Sequence, residues 1–126
     1  MKWRLGLGLY TLFILTIFLL AYLRFIPTQL NAVPYYDSIG HFVLYGMWGY
    51  FFARVFDRIV LRFEWIGVQL GIIIILPIAI LEESLQSLSP VRTFSLFDLG
   101  WGCLGILIAC LIINMQKKTR ITDYAD

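Results

Sequence analysis

Four runs of residues without Asp, Glu, Lys or Arg divide this sequence, and they constrain its fold more than any other feature. The runs cover residues 5–23, 38–53, 65–81 and 99–116. Charged residues make up only 14% of the chain and hydrophobic residues 60%, whereas soluble domains carry about 25% charged residues. A bilayer core about 30 Å thick is crossed by about 20 apolar helical residues, whose backbone needs no partner from lipid. We therefore predict an all-α membrane protein: a single domain over residues 1–126, with four transmembrane helices in a compact bundle.

The basic residues indicate how such a bundle is oriented. With four spans, the amino terminus, the segment between the second and third runs and the carboxyl terminus share one side of the membrane. Of the 10 basic residues, all but Arg24 and Arg92 fall on that side. Short cytoplasmic segments are rich in Lys and Arg, so the chain is predicted to be a multi-pass protein of the cell membrane with both termini cytoplasmic. Because these residues are spread over three short segments without a binding motif, they favour contact with membrane lipids over a nucleic-acid partner.

Small residues recur at helical spacing in the last three runs. Such residues let the backbones of neighbouring helices approach closely, so they predict the contact faces of the bundle. The faces are Gly46, Gly49 and Ala53 in the second run, Gly67 and Gly71 in the third, and Gly102, Gly105 and Ala109 in the fourth.

Two polar residues stand out at the outer end of the second run. Asp37 and His41 are four residues apart, so one face of a helix presents both. His41 lies within an apolar run, where ionisable groups are costly and usually face the bundle interior or a wet cavity. Two interpretations are open: either Asp37 caps the helix and His41 is merely hydrogen-bonded, or His41 acts as a base, a ligand or a proton carrier.

The third run ends in an acidic pair, Glu82 and Glu83. Adjacent residues point about 100° apart on a helix, so one carboxylate is expected to face the bundle, and Gln86 is spaced to contact either. A solvated helix end is the alternative. In the loop that follows, Arg92 either pairs with the neighbouring acids or binds a phosphate or carboxylate through its planar guanidinium.

These polar residues follow one another in a definite order. The order is Asp37-xxx-His41, then Glu83-xx-Gln86, then Arg92-xx-Ser95-xx-Asp98, with Gly105 seven residues further on. From about residue 24 to residue 109 the chain resembles the VanZ-like family of small bacterial membrane proteins, whose namesake accompanies resistance to teicoplanin. The resemblance implies that Glu83, rather than Glu82, is the inward carboxylate. The chain departs from the pattern at Ser38, where lysine is common, and at Gly102, where asparagine is common.

The outward polar residues and the resemblance lead to one functional hypothesis and one alternative. The first is a VanZ-like protein whose extracytoplasmic polar pocket binds or shields a lipid-linked cell-wall precursor or a glycopeptide, acting in cell-envelope processes or in teicoplanin resistance. The alternative is an intramembrane enzyme for a lipid headgroup, with His41 and Glu83 as acid–base or metal-binding groups. Neither interpretation identifies a cofactor or a metal. The predicted binding residues are Asp37, His41, Glu83, Gln86, Arg92, Ser95 and Asp98.

Overall fold

A computed structural model describes residues 2–25, 34–56, 60–63, 66–90 and 94–123 of the chain. This part of the chain forms four helices and one short β-hairpin. The elements are α1 (Lys2–Tyr22), α2 (Tyr36–Val55), β1 (Val60–Phe63), β2 (Ile66–Gln69), α3 (Leu70–Gln86) and α4 (Leu96–Asp123). Each of the four apolar runs thus contributes a helix. The helix α2 extends beyond the second run into its flanking charges and includes Asp37 in its first turn and Arg54 in its last.

The helix α2 packs against each of the other three helices, and its longest interface is with α4. Glycines on both helices make this interface close. A Cβ atom on Gly46 would lie 3.3 Å from the carbonyl oxygen of Gly105, and one on Gly105 would collide with the carbonyl oxygen of Phe42. Gly49 likewise lies against Ile106, with 3.4 Å between its would-be Cβ and the Ile106 Cα. The predicted small-residue faces of the second and fourth helices are therefore confirmed.

The third helix begins later than the apolar run suggested. A Cβ atom on Gly71 would lie 2.5 Å from the carbonyl oxygen of Phe52, so this glycine does bring α3 onto α2. Gly67, in contrast, lies in β2, and the prediction that it belongs to the helical contact face is wrong. The strands β1 and β2 are antiparallel and pair from Val60 with Gln69 to Phe63 with Ile66. Their β-branched and aromatic residues favour strand over helix, which a count of charges cannot reveal.

The core of the bundle lies where α2 meets the other helices. It contains fully buried side chains from every helix, including Ile14, Tyr45, Ile75, Ile106 and Ile113. Many other large apolar side chains point outward instead. By length and composition, two helical segments, Lys2–Tyr22 and Leu96–Gln116, are long and apolar enough to cross a membrane. Only 6% of the first and 28% of the second is buried within the described chain.

One arginine joins three helices at the end of the bundle that carries the chain's amino terminus. The guanidinium of Arg54 donates hydrogen bonds to the Tyr50 hydroxyl at 3.0 and 3.1 Å and to the side-chain oxygen of Gln116. It also lies 5.0 Å from the centre of the Trp3 ring, within the range of a cation–π contact. These contacts tie α1, α2 and α4 together at the end of the bundle opposite to the polar residues.

Candidate functional site

The candidate site is centred on a contact between His41 of α2 and Glu83 of α3. His41 Nδ1 lies 3.5 Å from Glu83 Oε2, and His41 Nε2 lies 3.8 Å from Asp37 Oδ1. The side chains of His41 and Glu83 are only 7% and 1% exposed, whereas that of Asp37 is 38% exposed. The imidazole thus lies between two carboxylates, one buried and one at the edge of the bundle.

Glu83 is held in place by residues on both sides of the α3–α4 loop. The backbone N–H of Ser95 donates to Glu83 Oε1 at 2.8 Å, and the side-chain amide of Gln86 donates to Glu83 Oε2 at 3.2 Å. Gln86 is itself buried. A buried carboxylate needs such donors because an isolated charge is costly to remove from water. Glu83 is accordingly the inward carboxylate of the acidic pair.

Asp98 and Ser38 connect the start of α4 to the start of α2. The buried Ser38 hydroxyl donates a hydrogen bond to Asp98 Oδ1. The backbone N–H of Asp98 donates in turn to the Ser95 hydroxyl at 3.2 Å. Ser95 therefore caps α4, since its side chain satisfies one of the N–H groups that a helix start leaves unpaired. Ser38 is thus a polar partner within the cluster.

Tyr45 extends the site toward the middle of α2. Its hydroxyl donates to Glu82 Oε2 at 2.9 Å, and Gln86 donates to both Glu82 oxygens at 3.0 and 3.2 Å. Gln86 thus contacts both members of the acidic pair instead of selecting one. The Tyr45 ring packs over Gly102, whose would-be Cβ would lie 3.1 Å from a ring carbon. The Tyr45 ring fills the space beside α4 that a side chain at position 102 would enter.

Most of the predicted site residues are therefore brought together by the fold. Asp37, His41, Glu83, Gln86, Ser95 and Asp98 all lie at the end of the bundle where α2 and α4 begin and α3 ends. Arg92 lies outside the described residues. Sequence reasoning did not include Tyr45 or Ser38 in the site. For Tyr45 a signal existed, because it follows His41 by four residues and so shares its helical face.

The chemistry available at the site is that of an imidazole–carboxylate pair. Among buried side-chain nitrogen and oxygen atoms of the described residues, His41 Nδ1 alone has no hydrogen-bond partner, and it faces Glu83. An imidazole between carboxylates can hold or pass a proton. Within the described part of the chain, no group of three His, Cys, Asp or Glu side chains is arranged to hold a metal ion.

A cleft adjoins the polar cluster on the α1 side. Its volume is about 680 Å³, and its walls come from α1, α3 and the turn after α3, with Trp48 of α2 between them. This size falls within the range of about 300–1,000 Å³ that is usual for small-molecule sites. Apart from Glu82, Tyr22 and Ser89, the lining residues are apolar, with Trp48 contributing its indole.

Comparisons of the chain with known protein families, with curated proteins and with solved structures found no match.

Proposed function

We propose that this chain is a four-span membrane protein with both termini in the cytoplasm. The distribution of side chains supports the proposal, because apolar residues such as Leu12 and Leu111 are 65% and 61% exposed while His41 and Glu83 are buried. A soluble protein rarely exposes so many large apolar side chains, whereas helices in contact with lipid require them. Arg54, in the last turn of α2, lies on the side that the positive-inside rule assigns to the cytoplasm. The polar cluster then faces the outside.

We further propose that the protein is VanZ-like and that its outer polar cluster binds or shields a lipid-linked cell-wall precursor or a glycopeptide. The observation that carries this proposal is the buried contact between His41 and Glu83, together with the bonds that Ser95 and Gln86 make to Glu83. These residues belong to the ordered pattern by which the chain resembles the VanZ-like family. Their position in one site supports a common function for them. A bound precursor or glycopeptide would lower the access of teicoplanin to its target.

Teicoplanin susceptibility tests this function. A sensitive host that produces the protein should show a raised inhibitory concentration of teicoplanin. Glu83→Gln should abolish the increase, since the amide removes the charge beside His41 and replaces one of the two oxygens that accept from Ser95 and Gln86. Ser84→Ala is the matched control, because Ser84 is exposed and its hydroxyl donates to the carbonyl oxygen of Ile80 in its own helix. If the wild-type protein is present in the membrane and the inhibitory concentration does not change, the resistance function is wrong.

One observation favours a second candidate function, an intramembrane enzyme that acts on a lipid headgroup. His41 Nδ1 lacks a hydrogen-bond partner among the described residues and lies 3.5 Å from Glu83 Oε2, as an acid–base pair would. Purified protein incubated with lipid extract would then release a headgroup, and His41→Gln would stop the release. Unchanged lipids after incubation with the wild-type protein would remove this candidate.

A further inference from the structure

The cleft beside the polar cluster has walls that do not by themselves select a ligand. Leu15 and Phe18 of α1 face Ile78 and Leu85 of α3 across it. In a bilayer, moving a hydrocarbon chain from lipid to such walls gains little, because lipid tails are as apolar as leucine. Selection therefore depends on the polar groups that the cleft contains.

Glu82 is the charged group in the wall of this cleft. Its contacts among the described side chains are with neutral donors, the Tyr45 hydroxyl at 2.9 Å and the Gln86 amide at 3.0 and 3.2 Å. No salt bridge of Glu82 is found in the part of the chain that the structure describes. A carboxylate beside an apolar cavity is stabilised by an opposite charge, which a ligand in the cleft can supply.

Three aromatic side chains also line the cleft. Phe18, Tyr22 and Trp48 line the cleft together with Glu82. The indole N–H of Trp48 donates to the Thr11 hydroxyl at 3.0 Å, which fixes the orientation of the ring. Aromatic faces attract cations through their quadrupole, and groups of aromatic rings are a known way to recognise quaternary ammonium ligands.

We propose that this cleft binds an amphiphile with an ammonium head group, held by Glu82 and the aromatic rings that line the same cleft, with its hydrocarbon chain between α1 and α3. The proposal rests on the membrane-spanning architecture proposed above, but it does not depend on antibiotic resistance or on the buried His41–Glu83 pair. An anionic head group would meet the Glu82 carboxylate directly, and a neutral one would add no charge to the neutral donors that contact Glu82 among the described residues.

Photolabelling of the purified full-length protein tests the proposal. Two probes with the same diazirine-bearing dodecyl chain are compared in maltoside micelles, one with a trimethylammonium head and one with a phosphate head. The ammonium probe should label α1 and α3 residues of the cleft, and the phosphate probe should label them at least about tenfold less, which corresponds to about 1.4 kcal/mol. Glu82→Gln should remove this preference. Ser84→Ala, which changes an exposed residue of the same helix that does not line the cleft, should keep it.

A second variant keeps the test valid if Glu82→Gln does not fold. Leu15→Trp fills the cleft from the exposed side of α1 while Glu82 is retained, and it should suppress labelling by the ammonium probe. Equal labelling by both probes, stronger labelling by the phosphate probe, or labelling that neither variant changes would overturn the proposal. Because the readout is binding to purified protein, a failure here is distinct from an absence of teicoplanin resistance.

Discussion

Replacing Gly105 with alanine tests the packing on which the polar cluster depends. The new Cβ would lie 3.1 and 3.2 Å from backbone atoms of Gly46 and closer still to the carbonyl oxygen of Phe42. Backbone atoms of a packed helix cannot turn away as a flexible side chain can, so α2 and α4 must move apart. Because Ser38 lies on α2 and Asp98 on α4, this movement would also stretch the hydrogen bond between them.

The expected cost can be worked from two opposing effects. Alanine gains up to about 1 kcal/mol over glycine in helix propensity, while overpacking costs about 1–3 kcal/mol, here near the upper end. We therefore expect Gly105→Ala to be destabilising by about 1–2 kcal/mol net. Gly100→Ala is the matched control on the same helix, since nothing lies within 4 Å of its would-be Cβ. It should be neutral or stabilising by up to about 1 kcal/mol.

Thermal unfolding of the purified variants in detergent, followed by circular dichroism, measures both effects. For a chain of this size about 1 kcal/mol corresponds to roughly 4 °C in Tm, so Gly105→Ala should unfold roughly 4–8 °C below the wild type. Gly100→Ala should unfold at or slightly above it. Equal Tm values for the two variants would refute the close approach of α2 and α4 at Gly105.

Two further substitutions address the hydrogen bonds at either end of the bundle. Tyr45→Phe removes the donor to Glu82 and should cost about 1–2 kcal/mol, measured as a lower Tm; an unchanged Tm would mean that this bond adds nothing to stability. Arg54→Lys keeps the charge but loses the planar contacts with Tyr50 and Trp3, so it should cost about 1 kcal/mol in the same assay while the orientation in the membrane stays the same. Wild-type stability of Arg54→Lys would show that charge alone matters at this position.

The helices and their contact faces could be predicted because they follow from local patterns. Charge-free runs identify the four helices, and small residues at helical spacing identify the α2–α4 interface. The hairpin could not be predicted in this way. Residues 65–69 belong to the charge-free run that continues into α3, and such a run has no hydrophobic periodicity that distinguishes a strand from a helix. For this reason the spacing of small residues predicts a helix at Gly67, which lies in β2.

The contacts of the candidate site also include some that the sequence predicts and some that it does not. The pairing of Asp37 with His41 and of Gln86 with Glu83 follows from spacing along single helices. The Ser38 bond to Asp98 joins two helices across a long stretch of sequence, so it depends on how α2 and α4 cross. No pattern within either segment contains that information.

The proposed topology is tested most directly by measuring on which side of the membrane the polar cluster lies. A reporter that is active only outside the cytoplasm can be fused after Pro34, Val55, Ser89 or Lys117. Activity is expected after Pro34 and Ser89, which border the cluster, and none is expected after Val55 and Lys117. Activity after Val55 and Lys117 with none after Pro34 and Ser89 would contradict the proposed topology, because the polar cluster would then face the cytoplasm.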